Sequence, residues 1–129
     1  MLIRIDFSSE VPIYLQLKDE MMKCIAAGAY REGDYLPSIR QLGTELGINM
    51  HTVNKAYAIL RENGLVAFDR RKGMRVVGIG GDGTSGFAGK IRADIETHVA
   101  QAICAGMAEE EYISFCRESF KAFSKERSL

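Results

Sequence analysis

The chain has 129 residues, 47% of them hydrophobic and 26% charged, with a formal net charge of zero at pH 7. That balance excludes a disordered chain and predicts one globular domain with an appendage, or two small units. No apolar run approaches the roughly 18 residues of a membrane span. Met1–Asp6 lacks the basic start and apolar run of a signal peptide. Cys24, Cys104 and Cys116 are odd in number and scattered, which points to a reducing cytoplasm and no disulfide framework.

The neutral total conceals an uneven distribution. Residues 1–78 carry 11 basic and 9 acidic side chains, and residues 79–129 carry 6 and 8. Within 36–77 the excess reaches +4, from Arg40, Lys55, Arg61, Arg70, Arg71, Lys72 and Arg75 against Glu45, Glu62 and Asp69. Local patches, not totals, steer polyanions.

In chain order, Leu2–Phe7 alternates loosely and reads as a short strand or an extended arm. Pro12 suits the first turn of a helix, whose buried stripe is Ile13, Leu17, Met21, Cys24 and Ile25, with Gly28 as its stop. Tyr30–Tyr35 reads as a turn centred on Gly33-Asp34. Ser38 is a good N-cap for a short second helix marked by Ile39, Leu42 and Leu46 and ending at Gly47. Asn49 is the candidate N-cap of a third helix, with Gly64 as its stop. Val53, Ala56, Tyr57 and Leu60 fall on one face of that helix, and His51, Thr52, Asn54, Lys55 and Arg61 fall elsewhere. Helix, tight turn, helix is the outline of a helix-turn-helix, although a surface helix in any small helical domain has the same pattern. Leu65–Phe68 and Met74–Val77 then read as two strands around the basic tip Asp69–Gly73, a hairpin wing. Consecutive Arg70, Arg71 and Lys72 suit a phosphate or minor-groove probe better than a solvated turn.

Gly78–Gly86 is a glycine-rich linker. Gly78-x-Gly80-x-x-Gly83 imitates a dinucleotide loop, but no second strand follows to complete a βαβ unit. Beyond it, Phe87, Ile91, Ile95, Val99, Ala102 and Ile103 trace a stripe on a helix ending near Gly106. A last helix starts at about Ala108, with Glu109, Glu110 and Glu111 in its first turn and Ile113, Cys116 and Phe120 on its core face. A unit of about 40 residues rarely buries enough surface alone. The glycine linker argues against tight packing on the first domain, so a second copy is the expected partner. The expected dimer interface is Phe87, Ile91, Ile95, Val99, Ile103, Ile113, Cys116 and Phe120. His98, Cys104 and Cys116 lack a metal-ligand spacing, and no residue set suggests catalysis, so neither a metal, a cofactor nor an enzyme is expected.

Residues 12–77 resemble the winged-helix domain of GntR-family transcription regulators. The matching marks are Pro12-Ile13-Tyr14, Gly33-Asp34, Leu36-Pro37-Ser38, Arg40, Leu42, Leu46-Gly47, Thr52-Val53, Ala56-Tyr57, Leu60, Asn63-Gly64-Leu65 and Gly73. The short two-helix C-terminal region resembles the YtrA-like branch of that family. Two departures stand out: Met50 where the family carries Arg or Pro, and Arg71-Lys72-Gly73-Met74-Arg75 where its wing reads Gly-Lys-Gly-Thr-Phe.

The resemblance implies a mainly α fold with a small β-hairpin wing. It divides the chain into a winged helix-turn-helix domain over 1–77, a linker over 78–86 and a helical dimerisation region over 87–129. It implies a cytoplasmic homodimeric repressor on double-stranded DNA with a palindromic operator, and it leaves any small-molecule effector open. The implied DNA-facing set is Ser38, Arg40, Asn49, His51, Thr52, Asn54, Lys55, Arg70, Arg71, Lys72 and Gly73. The alternative is a winged-helix module that grips protein through its third helix.

Overall fold

The computed structural model describes residues 3–80 and 85–128. Among them are five helices and one antiparallel hairpin: α1 (Ile13–Ala26), α2 (Ile39–Leu46), α3 (Met50–Glu62), β1 (Val66–Asp69), β2 (Gly73–Val76), α4 (Ser85–Cys104) and α5 (Glu109–Ser128). Met1, Leu2, Leu129 and the linker residues Gly81, Asp82, Gly83 and Thr84 lie outside the described residues, and with them the last glycine of the dinucleotide-like spacing. No described helix is long and apolar enough to cross a membrane.

Pro12 opens α1, and its carbonyl accepts from the N–H groups of Leu15 and Gln16. The N-terminal stretch is an extended arm rather than a strand. Asp6 N–H donates to Gln16 Oε1 at 2.8 Å, Gln16 Nε2 donates back to the carbonyls of Asp6 and Val11, and Arg4 N–H donates to Glu20 Oε1. Two polar side chains of α1 thus supply the backbone partners that a neighbouring strand would supply, and Ile3 and Ile5 lean on the core.

The core is one cluster. Leu17, Met21 and Ile25 of α1 meet Val53, Ala56, Tyr57 and Leu60 of α3, and Leu36, Leu42, Leu65, Val66 and Val76 close it. Both caps expected from sequence form. Ser38 Oγ accepts from Gln41 N–H at 3.0 Å, and Asn49 Oδ1 accepts from His51 N–H at 2.7 Å. Between them Gly47 adopts φ 69°, a left-handed conformation that costs a side chain energy and glycine little. Gly43 serves the same turn through space rather than φ. Ile48 N–H donates to its carbonyl, and a Cβ there would lie 3.0 Å from the Ile48 oxygen.

The hairpin pairs Val66 with Val76, Ala67 with Arg75, Phe68 with Met74 and Asp69 with Gly73. Each strand is displaced one residue from its expected limits. The segment 33–36, which reads from sequence as a turn, also joins β2 on its free edge. Gly33 and Leu36 N–H donate to the Val76 and Met74 carbonyls, Val76 N–H donates to Asp34 O, and Tyr35 lies antiparallel to Arg75. Tyr35 Oη then donates to Asp69 Oδ2 at 2.6 Å, while Asp69 Oδ1 accepts from Arg71 N–H at 2.9 Å. The first of these bonds, with the second behind it, holds the Asp69 carboxyl below its usual range; the same bond raises the Tyr35 phenol. The wing tip is therefore clamped at its base.

α4 opens at Ser85, so the last two residues of the expected linker are helical. α5 has Glu109, Glu110 and Glu111 in its first turn and Lys125 and Arg127 in its last, complementing the helix dipole at both ends. The C-terminal pair touches the first domain at isolated points. Phe87 is half-buried against the core, and Arg127 lies so close to Gly28, at the end of α1, that a Cβ there would be 3.1 Å from its Cγ.

Tyr57 is 1% exposed, and its hydroxyl donates to the Pro37 carbonyl at 2.7 Å. Burial is the main cause that pushes this phenol well above its ordinary value, so it remains a donor. Replacing Tyr57 with Phe keeps the ring but strands the carbonyl. The expected loss is about 1–2 kcal/mol in the free energy of unfolding, read from urea denaturation.

Candidate nucleic-acid interface

The burial of one face of α3 decides what its other faces present. With Val53, Ala56, Tyr57 and Leu60 inside, a period of 3.6 residues places His51, Lys55 and Ala58 on the outer side and Asn54 and Arg61 on one flank. His51, Asn54 and Lys55 are exposed, and Thr52 is half-buried. The small Ala58 leaves the middle of the outer face open to close approach.

The N-terminus of α3 is more occupied than sequence suggests. Its cap takes the His51 N–H, and the Asn49 carbonyl accepts from Thr52 and Val53. What remains for an anion includes the Met50 N–H, the Asn49 Nδ2 group, the Thr52 hydroxyl and the helix dipole.

Around α3 stand two further sources of charge. Arg40 is exposed in the first turn of α2, and Arg70, Arg71 and Lys72 are exposed at the wing tip, with Gly73 half-buried behind them at φ 98°. None of Arg40, Lys55, Arg70, Arg71 or Lys72 forms an ion pair; the three pairs among the described residues are Lys18–Asp19, Lys23–Glu20 and Lys90–Asp94. Lys72 lies over the Tyr35 ring, 5.5 Å from its centroid, and Lys55 lies over the Tyr14 ring at 5.1 Å. Such an arrangement holds an ammonium in place without a direct ion pair, although the Asp69 carboxylate, bonded to Tyr35, lies near enough to Lys72 to feel its charge.

A hollow joins the three elements. Ser38 at the head of α2, Asn54 and Arg61 on α3, and Phe68, Lys72 and Gly73 on the wing share it. Four of the expected DNA-facing residues are thus brought around one depression: Ser38, Asn54, Lys72 and Gly73. Lys55 is drawn instead toward α1, and Arg40, Asn49, His51, Thr52, Arg70 and Arg71 lie outside that lining. Sequence reasoning leaves Arg61 and Phe68 out of the set. Phe68 is 58% exposed, and an aromatic residue in a strand gives no hint that it faces outward. Tyr14 and Tyr35 are equally hidden, because each meets its lysine across a long sequence separation.

In the C-terminal pair the expected interface residues divide. Ile91, Ile95, Val99, Ile103, Ile113, Cys116 and Phe120 are exposed, Ile103 at 69% and Phe120 at 75%, and Phe87 is half-buried. Phe87, Ile91 and Phe120 line a cleft facing α1, and Cys116 lines the groove between α4 and α5 together with His98 and Tyr112.

Three comparisons bear on this geometry. Residues 13–76 match the family described as bacterial regulatory proteins, gntR family. The chain is 39% identical over 75 residues to the HTH-type transcriptional repressor YtrA of Bacillus subtilis, a stretch that covers 58% of this chain and 58% of that protein, somewhat over half the length of each. Among solved structures it is similar to YtrA from Sulfolobus acidocaldarius, a GntR-family transcription factor, with 36% identity, a TM-score of 0.64, and coverage of 78% of this chain and 99% of that one. It is also similar to the AraR DNA-binding domain in complex with operator ORE1, with 28% identity, a TM-score of 0.51, and coverage of 59% of this chain and 95% of that one. Pattern, fold and relatives agree: the chain belongs to the GntR family of transcription regulators.

Proposed function

We propose that the chain is a sequence-specific DNA-binding repressor that works as a homodimer on a palindromic operator. The observation that carries the reading is the convergence of α2, α3 and the wing, with cations on all three and no carboxylate paired to those cations among the described residues. A cationic surface without direct ion pairs, around a helix with a polar outer face, suits a major groove flanked by phosphates. The relatives add weight. One is called a repressor, and another is a DNA-binding domain bound to its operator.

In this reading α3 enters the major groove with His51, Asn54 and Lys55 toward the bases. Asn54 is suited to the bidentate pattern of adenine and Arg40 to that of guanine, each worth about 1–3 kcal/mol of discrimination. Asn49, Thr52 and Ser38 take phosphates, and Arg70, Arg71, Lys72 and Gly73 form the wing's approach to the adjacent minor groove. No observation favours the alternative of a winged helix that grips only protein.

The dimer is inferred from surface that the chain leaves bare. Ile95, Val99 and Ile103 on α4 and Ile113 on α5 expose apolar area that a second copy would bury. Ile91, Cys116 and Phe120 are exposed as well and Phe87 is half-buried; Phe87, Ile91 and Phe120 turn toward α1, and Cys116 lines the groove between α4 and α5. Two winged helices joined in this way would read two half-sites related by the dimer axis.

Two measurements test these roles. Replacing Arg70, Arg71 and Lys72 together with Ala should weaken binding to every duplex and flatten the dependence of log K on log salt by about 0.9 for each phosphate no longer neutralised. An unchanged slope would remove the wing from the DNA-binding surface. Light scattering should find the full chain dimeric at micromolar concentration and Ile103→Glu monomeric, since the substitution places a charge in the interface. A monomeric unsubstituted chain would contradict the dimer.

A further inference from the structure

A cleft of about 370 Å³ lies where the DNA-reading unit meets the C-terminal helices. Its volume falls within the range of small-molecule sites. Five segments contribute to it. Ile25 comes from α1, Leu65 from the turn after α3, Phe87 and Ile91 from α4, and Phe120 and Phe123 from α5, with Ile79 and Gly80 of the segment after β2 along one edge. Phe120 is 75% exposed at the lip, an aromatic ring left in water by the chain's own packing. Scattered exposed apolar residues need no explanation. A concave apolar surface assembled from five segments does, because its walls lack packing partners until something fills the space between them.

One charge marks the cleft. Arg127, in the last turn of α5, lines it and is exposed. The guanidinium forms no ion pair within the described residues. An adjoining hollow shares Arg127 and adds Arg31 and Glu32, so its lining carries two cations and one carboxylate. The base of the Arg127 side chain packs over Gly28, where an added Cβ would lie 3.1 Å from its Cγ.

We propose that this cleft binds a small amphipathic carboxylate, with an aliphatic or aromatic body against Phe87, Ile91, Phe120 and Phe123 and the carboxylate on Arg127. A guanidinium matches a planar carboxylate with two parallel hydrogen bonds, which a neutral head group does not reproduce. The site goes beyond the DNA-binding reading and does not depend on it. The two do meet through geometry, because the occupant touches both the core that holds α3 and the helices that carry the bare apolar face. Any effect of the ligand on DNA affinity would then be matched by an equal effect of DNA on ligand affinity.

The test uses the full chain and decanoate, with decanol as the neutral isostere, in calorimetric titrations below the aggregation range of both. The expected result is one decanoate per chain, bound about tenfold more tightly than decanol, the factor that a charge-assisted hydrogen bond of about 1.4 kcal/mol supplies. Arg127→Gln should erase that preference and Arg127→Lys, which keeps the charge but not the fork, should retain part of it. Ala26→Leu, which narrows the cleft, should weaken both ligands. Equal affinity for decanoate and decanol, an Arg127→Gln chain with the preference intact, or no binding because a second copy already fills the cleft would each overturn the proposal.

Discussion

The segment Gly33–Ser38 is the constraint on which the DNA-facing architecture depends. It bonds in succession to all three elements that surround the candidate interface. Gly33, Asp34 and Leu36 pair with β2, Tyr35 clamps Asp69 at the base of the wing tip, Pro37 receives the Tyr57 hydroxyl from α3, and Ser38 caps α2. The wing, α3 and α2 are therefore fixed to one short stretch of backbone. Burial of Leu36, 4% exposed, anchors that stretch in the core. Such shared anchoring matters because groove recognition needs several side chains held in one relative geometry, and flexible placement would lose affinity to ordering.

Much of this architecture is legible in the sequence, and the reasons are local. Ser38 and Asn49 are recognisable as caps because a short polar side chain before an apolar-periodic run has few other uses there, and both side chains accept the expected N–H. The buried set of α3 follows from spacing alone. The division of labour within 33–38 does not. Gly33-Asp34 dominates the local pattern and signals a turn, while the strand-like part is too short to show an alternation of period two. The partner of Tyr35 lies 34 positions away, and that of Tyr57 lies 20. Pairings of that kind depend on the assembled fold.

The C-terminal helices illustrate a different limit. A stripe from Phe87 to Ile103 has the same period whether it faces a second copy, the chain's own core or solvent. The fold sorts it by position. Phe87 rests half-buried against the first domain's core, Ile91 lines the cleft facing α1, and Ile95, Val99 and Ile103 remain bare. One helix thereby connects the core that supports α3 to the bare apolar face of the C-terminal pair.

The central claim is that the side formed by the head of α2, the outer face of α3 and the wing tip is the surface that meets DNA. Amide chemical-shift mapping of the full chain, titrated at low salt with a duplex from the region upstream of its own coding sequence, tests it most directly. The expected shifts concentrate at residues 38–40, 49–55 and 70–73, with α4 and α5 little affected. Shifts confined to α4 and α5, or none at any salt concentration at which the protein stays folded, would contradict it.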